Sequence, residues 1–346
     1  MQLRVRVATL AAAAAGVVTI GVTALLADVP QASRAGEPAS DSPAAASAQE
    51  PSRRTATSSV TSAPTRDTYV ASPFDIDGQV KETAARFVER VGTWDEPFAA
   101  DVDRVTSAGY PADLAATAAP LLDVTAPSAT TSIIYPQYGG LTDSAASVVV
   151  LARQQLRTDD GDQTVREVTL DVRLRPMSDG VWQVTSVVDP PRPGLSERRA
   201  GGPTELGQAV LDDPRVRLSA TGRADIVDRR VNDPILAVLA DLARTWTLDV
   251  QVFVSGHPGT VFPTTRLSNH AVGRGVDIRA IDGRPVIGIP RDDAVITEFM
   301  VAAGRAGATE VGGPVAPDGS GFFSDDVHQD HFHLGITPTK PPAVAS

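Results

Sequence analysis

The chain has 346 residues, 42% of them apolar, which is enough for two modest domains with a core each. Its 31 lysines and arginines stand against 42 aspartates and glutamates, a net charge of −11. With no basic patch interleaved with aromatics, that balance argues against a nucleic-acid partner. Cysteine is absent, so disulfides, a lipid-modified cysteine, a thiol nucleophile and a cysteine-built zinc site are excluded.

Arg4 and Arg6 precede an uncharged run from Val7 to Ala27. The run is long enough to cross a hydrocarbon core as a helix, and the arginines favour a cytoplasmic N-terminus with the rest exported. Residues 1–27 therefore read as a transmembrane anchor, or as a signal peptide whose removal would give a secreted protein. Residues 28–66 are rich in proline, alanine and serine and nearly devoid of large apolar side chains. Such a segment buries too little surface to offset chain entropy and reads as a disordered linker.

Residues 67–190 read as a small α+β domain. GQVKETAARFVERVGTW predicts a helix with Val80, Ala84, Phe87 and Val91 near one face, and YPADLAATAAPLL predicts a second. Extended runs follow. TSIIYPQYGGLT is expected to turn at Gly139-Gly140, and ASVVVLARQQLRT leads to the polar turn DDGDQ. VREVTLDVRLRPM alternates, with Val168, Leu170, Val172 and Leu174 on one side, and VWQVTSVVDP is a last strand. The order of elements is similar to small cone-shaped α+β domains that follow an export anchor in bacterial envelope proteins. With no histidine and no catalytic cluster in its sequence, this domain reads as a spacer or as a contact surface for an envelope protein partner, with a substrate-binding role as the alternative.

Residues 191–206, with their prolines and glycines, read as a second linker, and 207–346 as a second folded domain. Asn232 is expected to cap a helix from Pro234 to about Trp246, with Ile235, Val238, Leu239 and Leu242 as its apolar stripe. TLDVQVFVSG reads as a buried strand, GVDIRAI as another, RDDAVITEFMVAAGRAG as a helix ending at one of its glycines, and DHFHLGI as a short final strand.

All five histidines (257, 270, 328, 331 and 333) fall in this last domain. In SNHAVGRGVDI, six residues including Gly273 and Gly275 separate His270 from Asp277, and the glycines let the backbone double back so that both side chains meet one point. Asp277 sits between Val276 and Ile278 in a strand that otherwise wants burial, so its carboxylate needs a partner or a metal. In DHFHLGI, His331 and His333 stand two apart and share one face of a strand, leaving Phe332 and Leu334 for the core. His270, Asp277 and His333 make three protein ligands for Zn2+, the number a catalytic zinc site uses with its fourth position open. His331 is the leading candidate for the general base, with Asp330 second. No His-Glu-x-x-His and no Gly-x-Ser-x-Gly occurs, which argues against a zincin and a serine hydrolase.

Together the two elements resemble the Ser-x-His-x6-Asp and His-x-His motifs of the zinc D-alanyl-D-alanine carboxypeptidase and dipeptidase family. That family includes VanY- and VanX-like enzymes and shares its fold with murein endopeptidase and the hedgehog signalling domain. The resemblance covers roughly residues 220–340. It implies an α+β, hedgehog/DD-peptidase-like domain with His270, Asp277 and His333 on zinc, acting on peptidoglycan stem or cross-link peptides outside the cytoplasmic membrane. Where the family carries a glutamate base, this chain has Asp330, and where it carries the first histidine of His-x-His, this chain has His331. VFVSGH looks like the family's upstream strand and turn. There SGYR becomes SGHP, so Pro258 replaces an arginine, and Arg266 is the candidate to meet a substrate carboxylate. Arg266, His257 and Ser268 are the expected substrate-side residues, Ser268 also ordering the turn before His270. The alternative is a non-catalytic, metal-containing wall-binding or scaffold protein.

Overall fold

The computed structural model describes residues 68–188 and 201–338. The N-terminal run, the first linker, residues 189–200 and the C-terminal tail lie outside the described residues. Among the described residues no helix is long and apolar enough to cross a membrane.

The first core begins with α1 (Gly78–Val91), whose residues Val80, Ala84, Phe87, Val88 and Val91 are fully buried, as helical spacing predicts. The same buried face carries a charged residue, Lys81. Next comes α2 (Asp101–Ser107), which the sequence reading leaves out. The second expected helix breaks into a 3-10 turn (Ala112–Ala116) and α3 (Ala119–Leu122), with Pro120 in the first turn of α3. Strands β1 (Ser128–Thr142), β2 (Ala145–Arg157), β3 (Gln163–Pro176) and β4 (Trp182–Val188) then form an antiparallel meander in sequence order. Leu170, Val172 and Leu174 alternate into the core and Val168 is partly buried beside them.

The expected turn at Gly139-Gly140 is instead a β-bulge inside one long strand, and the chain reverses beyond Thr142. The glycines are there for close approach: a Cβ on Gly140 would strike the Phe262 ring, and one on Gly139 would crowd Ser147 and Pro258. A second irregularity lies between Ile133 and Tyr135. Bulges bend a strand and re-aim its side chains, and these two flank the segment Tyr135–Tyr138, which faces the second core.

That core starts with α4 (Glu205–Asp212), capped by the Thr204 hydroxyl accepting from Gly207 N, so the linker ends before the boundary set at 206. β5 (Val216–Arg217) and α5 (Ala220–Val227), capped by Ser219, occupy a stretch in which no element is expected. α6 (Asp233–Leu242) ends earlier than predicted. Asn232 does not cap it through its side chain. Its Nδ2 donates to Val272 O instead, and its N–H to Gly273 O, tying the helix start to the turn after His270.

β6 (Leu248–Val252), β7 (Gly275–Ile281), β8 (Arg284–Pro285), α7 (Ala294–Arg305), β9 (Glu310–Gly312), β10 (Phe322–Phe323) and β11 (Phe332–Gly335) complete the fold. The sheet order is β10-β9-β11-β7-β6-β5, with β8 beside β7. Phe332 and Leu334 are fully buried, and Phe332 stacks on Phe299 of α7 with ring centroids 4.5 Å apart. Helices and largely antiparallel sheets over two cores make this an α+β protein.

The two cores share a polar seam. Gln251 of β6, fully buried, donates from Nε2 to Tyr135 O (3.0 Å) and Val149 O (3.1 Å), one acceptor on β1 and one on β2. Glu167 of β3 accepts from Ala220 N at 3.0 Å, at the first residue of α5.

Gly273 and Gly283 both have positive φ, 70° and 75°, but differ in surroundings. A Cβ on Gly273 would collide with the Arg230 carbonyl, whereas one on Gly283 meets open space. Left-handed backbone costs a non-glycine residue about 1–2 kcal/mol. Thermal unfolding is expected to show Gly283→Ala losing about that much and Gly273→Ala clearly more. Equal losses would show that the backbone at Arg230 yields freely.

Candidate metal centre

β7 and β11 pair antiparallel with Asp277 directly opposite His333. Neighbouring residues on these strands face the core, so the carboxylate and the imidazole project together from the other side. His270 arrives from a 3-10 turn (His270–Val272) that Gly273 reverses in left-handed conformation. Gly275 then passes so close to the imidazole that a Cβ there would lie 2.8 Å from His270 Cδ2. The glycine spacing thus does what the sequence reading asks of it.

His270 Nδ1 lies 2.5 Å from Phe253 O. A carbonyl can only accept, so Nδ1 donates to it and Nε2 is the nitrogen turned inward. Nε2 stands 3.1 Å from Asp277 Oδ1 and 3.1 Å from His333 Nδ1, while His333 Nδ1 stands 3.0 Å from Asp277 Oδ1. Three donor atoms therefore form a near-equilateral triangle. Ligands at about 2.0–2.1 Å from a tetrahedral metal would lie about 3.3 Å from one another. The triangle fits that geometry with slight compression. Two inward-facing imidazole nitrogens beside a carboxylate are what a divalent cation would hold together.

His257 joins from the loop after β6. Its Nδ1 faces Pro258 O at 2.9 Å, its Nε2 lies 3.5 Å from Asp277 Oδ2, and its ring stacks on His270 at 3.6 Å between centroids. His257, His270 and Asp277 together form a metal-capable group. Gln137 of β1 donates from Nε2 to Asp277 Oδ2 at 2.6 Å, leaving Oδ1 for the triangle.

His331 is buried beside the triangle. Its Nδ1 donates to Asp330 Oδ1 at 2.6 Å and its Nε2 points toward Asp277 Oδ1 at 3.8 Å. Asp330 is fully enclosed. Its Oδ2 accepts from Tyr138 N at 3.1 Å and pairs with Lys81 Nζ at 2.5 Å, and Tyr135 Oη donates to its carbonyl at 2.9 Å. Lys81 also pairs with Asp75 at 2.5 Å, and its ammonium lies over the ring of Tyr138.

Burial would raise the Asp277 carboxyl, but the facing His270 and His331 imidazoles hold it well below the usual carboxylate range. Burial pushes His333 down to about 4 and His257 well below the ordinary imidazole value. Both rings are therefore neutral near pH 7, the state in which imidazole ligates. Burial opposes charge on His331 too, yet Asp277 and Asp330 raise its pKa. Asp330 stays low because Lys81 and the His331 hydrogen bond outweigh its desolvation.

A cleft of about 540 Å³ opens beside these groups. Arg266 sits at its rim, exposed, 3.9 Å from Glu310 Oε1. Ser268 is buried and its Oγ accepts from His270 N at 3.2 Å, so it orders the turn. His328 pairs with Asp325 at 2.6 Å and lies 5.0 Å from the His331 ring.

The structure thus brings all five histidines to one place. The middle domain is no detached spacer: Gln137, Lys81, Tyr135 and Tyr138 reach the centre from it, and the sequence reading gives none of them a role. One signal marked Lys81, since the chain uses lysine only at positions 81 and 340 and arginine for every other cation.

No protein-family model matches the chain, and no curated protein matches it. Among solved structures, the association domain of C. elegans CaMKII is similar at 19% identity, over 17% of this chain and 45% of that one, with a TM-score of 0.16. A likeness that slight carries no argument about fold or activity.

One divalent metal per chain is the expected stoichiometry by elemental analysis of metal-reconstituted protein. Substituting alanine for His270 or His333 is expected to weaken binding by more than about 100-fold, beyond the 10–100-fold typical of outer-shell partners. Unchanged affinity in both variants would show that the triangle is not the ligand set.

Proposed function

We propose that this chain is an exported zinc-dependent peptidase that hydrolyses an amide bond in peptidoglycan stem or cross-link peptides. The observation that carries the reading is the His331–Asp330 pair set against the His270–Asp277–His333 triangle. A metal ligand set with a histidine beside it, oriented by a carboxylate, is the arrangement hydrolysis needs. Two imidazoles and one carboxylate are a donor set that zinc accepts, and the choice of zinc among divalent metals rests on the same resemblance that suggests the substrate. Peptidoglycan as substrate rests on the resemblance of SNHAVGRGVDI and DHFHLGI to the D-alanyl-D-alanine peptidase motifs. Export rests on the apolar run from Val7 to Ala27.

His270, Asp277 and His333 would hold the zinc ion. Bound there, it would supply Lewis-acid polarisation of a scissile carbonyl and a lowered pKa for an attacking water. His331 is the better of the two candidate bases, because Nδ1 is occupied by Asp330 and Nε2 is left to take the proton. Asp330 is poorly suited to that task, its oxygens being engaged by His331, Lys81 and Tyr138 N. It instead holds the imidazole in one tautomer and stabilises the cation formed on proton uptake. His331 then returns the proton to the leaving amine.

His257 supports a second reading. Its Nε2 lies 3.5 Å from Asp277 Oδ2, near enough for it to supply a fourth ligand after a small shift. Four protein ligands make a closed, structural site, as a non-catalytic wall-binding module would have.

Incubation of the zinc-loaded full chain with muropeptides, followed by mass spectrometry, separates the two. The peptidase reading expects a product of defined mass from the wild type. It expects a loss of about 10²–10⁴-fold in rate for His331→Ala, with zinc retained. Zinc bound without any product, and lost in His257→Ala, would favour the closed site.

A further inference from the structure

We infer that residues 68–188 form the supporting half of the catalytic site, with Gln137 and Lys81 as positioning residues. Gln137 fixes the Asp277 carboxylate, and Lys81, acting through Asp330, fixes the His331 ring. The assignment rests on the peptidase reading above and extends it to a domain whose sequence holds no histidine.

Gln137 has no exposed surface. Its amide N–H reaches Asp277 Oδ2 at 2.6 Å, and its Oε1 is buried with no partner. A buried amide left half-satisfied destabilises the fold, so the hydrogen bond to Asp277 is the one polar interaction its side chain gains. That bond selects which carboxylate oxygen is free. With Oδ2 engaged, Oδ1 is presented to His270 Nε2 and His333 Nδ1. Outer-shell partners of this kind set ligand orientation and metal affinity.

Lys81 is the odd residue on the apolar face of α1. It too has no exposed surface, and desolvating an ammonium ion is costly unless partners compensate. It has two, Asp75 Oδ1 and Asp330 Oδ2, each at 2.5 Å, and its ammonium lies 4.5 Å from the centroid of the Tyr138 ring. A compact ammonium acts as a point charge shared between the two carboxylates. Asp330 is held from three sides, by Lys81, Tyr138 N and His331 Nδ1. Held so, it cannot rotate, and the His331 ring keeps Nε2 toward the metal side.

The two residues act on different things, so two readouts test them. Gln137→Leu is expected to lower zinc affinity by about 10–100-fold, measured by competition with a chromogenic chelator. Lys81→Met is expected to keep zinc affinity within about threefold of wild type and to lower kcat on muropeptides by about 10²-fold, with KM unchanged. In a His331→Ala background, Lys81→Met should lower kcat no further, because its effect passes through the missing ring. Folding of each variant is checked by circular dichroism and thermal melting. If Lys81→Met does not fold, Asp75→Asn takes its place. That change releases one anchor of the ammonium ion, and a several-fold loss of kcat that vanishes in the His331→Ala background is expected.

A Lys81 effect that multiplies with His331→Ala, or that falls on KM, would reduce Lys81 to a packing residue. Wild-type zinc affinity in Gln137→Leu would overturn the role of Gln137. A wild type that binds zinc and releases no product would overturn the peptidase reading and the role of Lys81, while the zinc competition would still decide Gln137.

Discussion

Burial of the Asp277 carboxylate is the constraint around which the rest is arranged. A carboxylate enclosed in a central strand needs compensation from every direction. His333 faces it across the sheet, His270 arrives from the glycine turn, His257 approaches from the loop after β6, and Gln137 closes the remaining side. Each of these groups needs its own support. Phe253 O fixes the tautomer of His270, and Ser268 orders the turn that carries it. The chain of obligations runs outward from one carboxylate to residues on both cores.

A second buried carboxylate, Asp330, is solved differently. It sits next to His331 in sequence, and its compensation is a cation from α1 and a backbone amide from β1. The two carboxylates lie on strands β7 and near β11, but both lean on the same short segment of β1 between its two bulges. Among the described residues the α+β fold therefore has two hydrophobic cores, with this polar centre at their seam.

Much of this was legible in the sequence, and the part that was not has a physical reason. His270 and Asp277 declare themselves by residue type and the glycine turn between them, and His331 and His333 by their spacing of two, although what joins the two pairs is the long-range pairing of β7 with β11. The apolar face of α1 and the alternation of β3 follow from periodicity for the same reason. Gln137 and Lys81 lie 140 and 249 residues from the side chains they serve, Asp277 and Asp330 (277 − 137 and 330 − 81). No local period reports such a contact. The glycine pair at 139 and 140 misled in another way. Adjacent glycines usually signal a turn, but here they answer to Phe262 and Pro258 of the loop after β6, which the sequence does not show to be near.

Gln251 has a bearing on how this protein can change over evolutionary time. One amide clamps Tyr135 O and Val149 O on neighbouring strands. A residue added to or removed from β1 in this region would move Gln137 and Tyr138 off their partners as well as breaking the clamp. The hairpin tips at Gly161 and Gly180, where even a Cβ would meet nothing, lie free of that restriction. Length variation among descendants of this chain should therefore gather at those tips, while the stretch from Ile133 to Thr142 keeps its residue count even where its side chains drift.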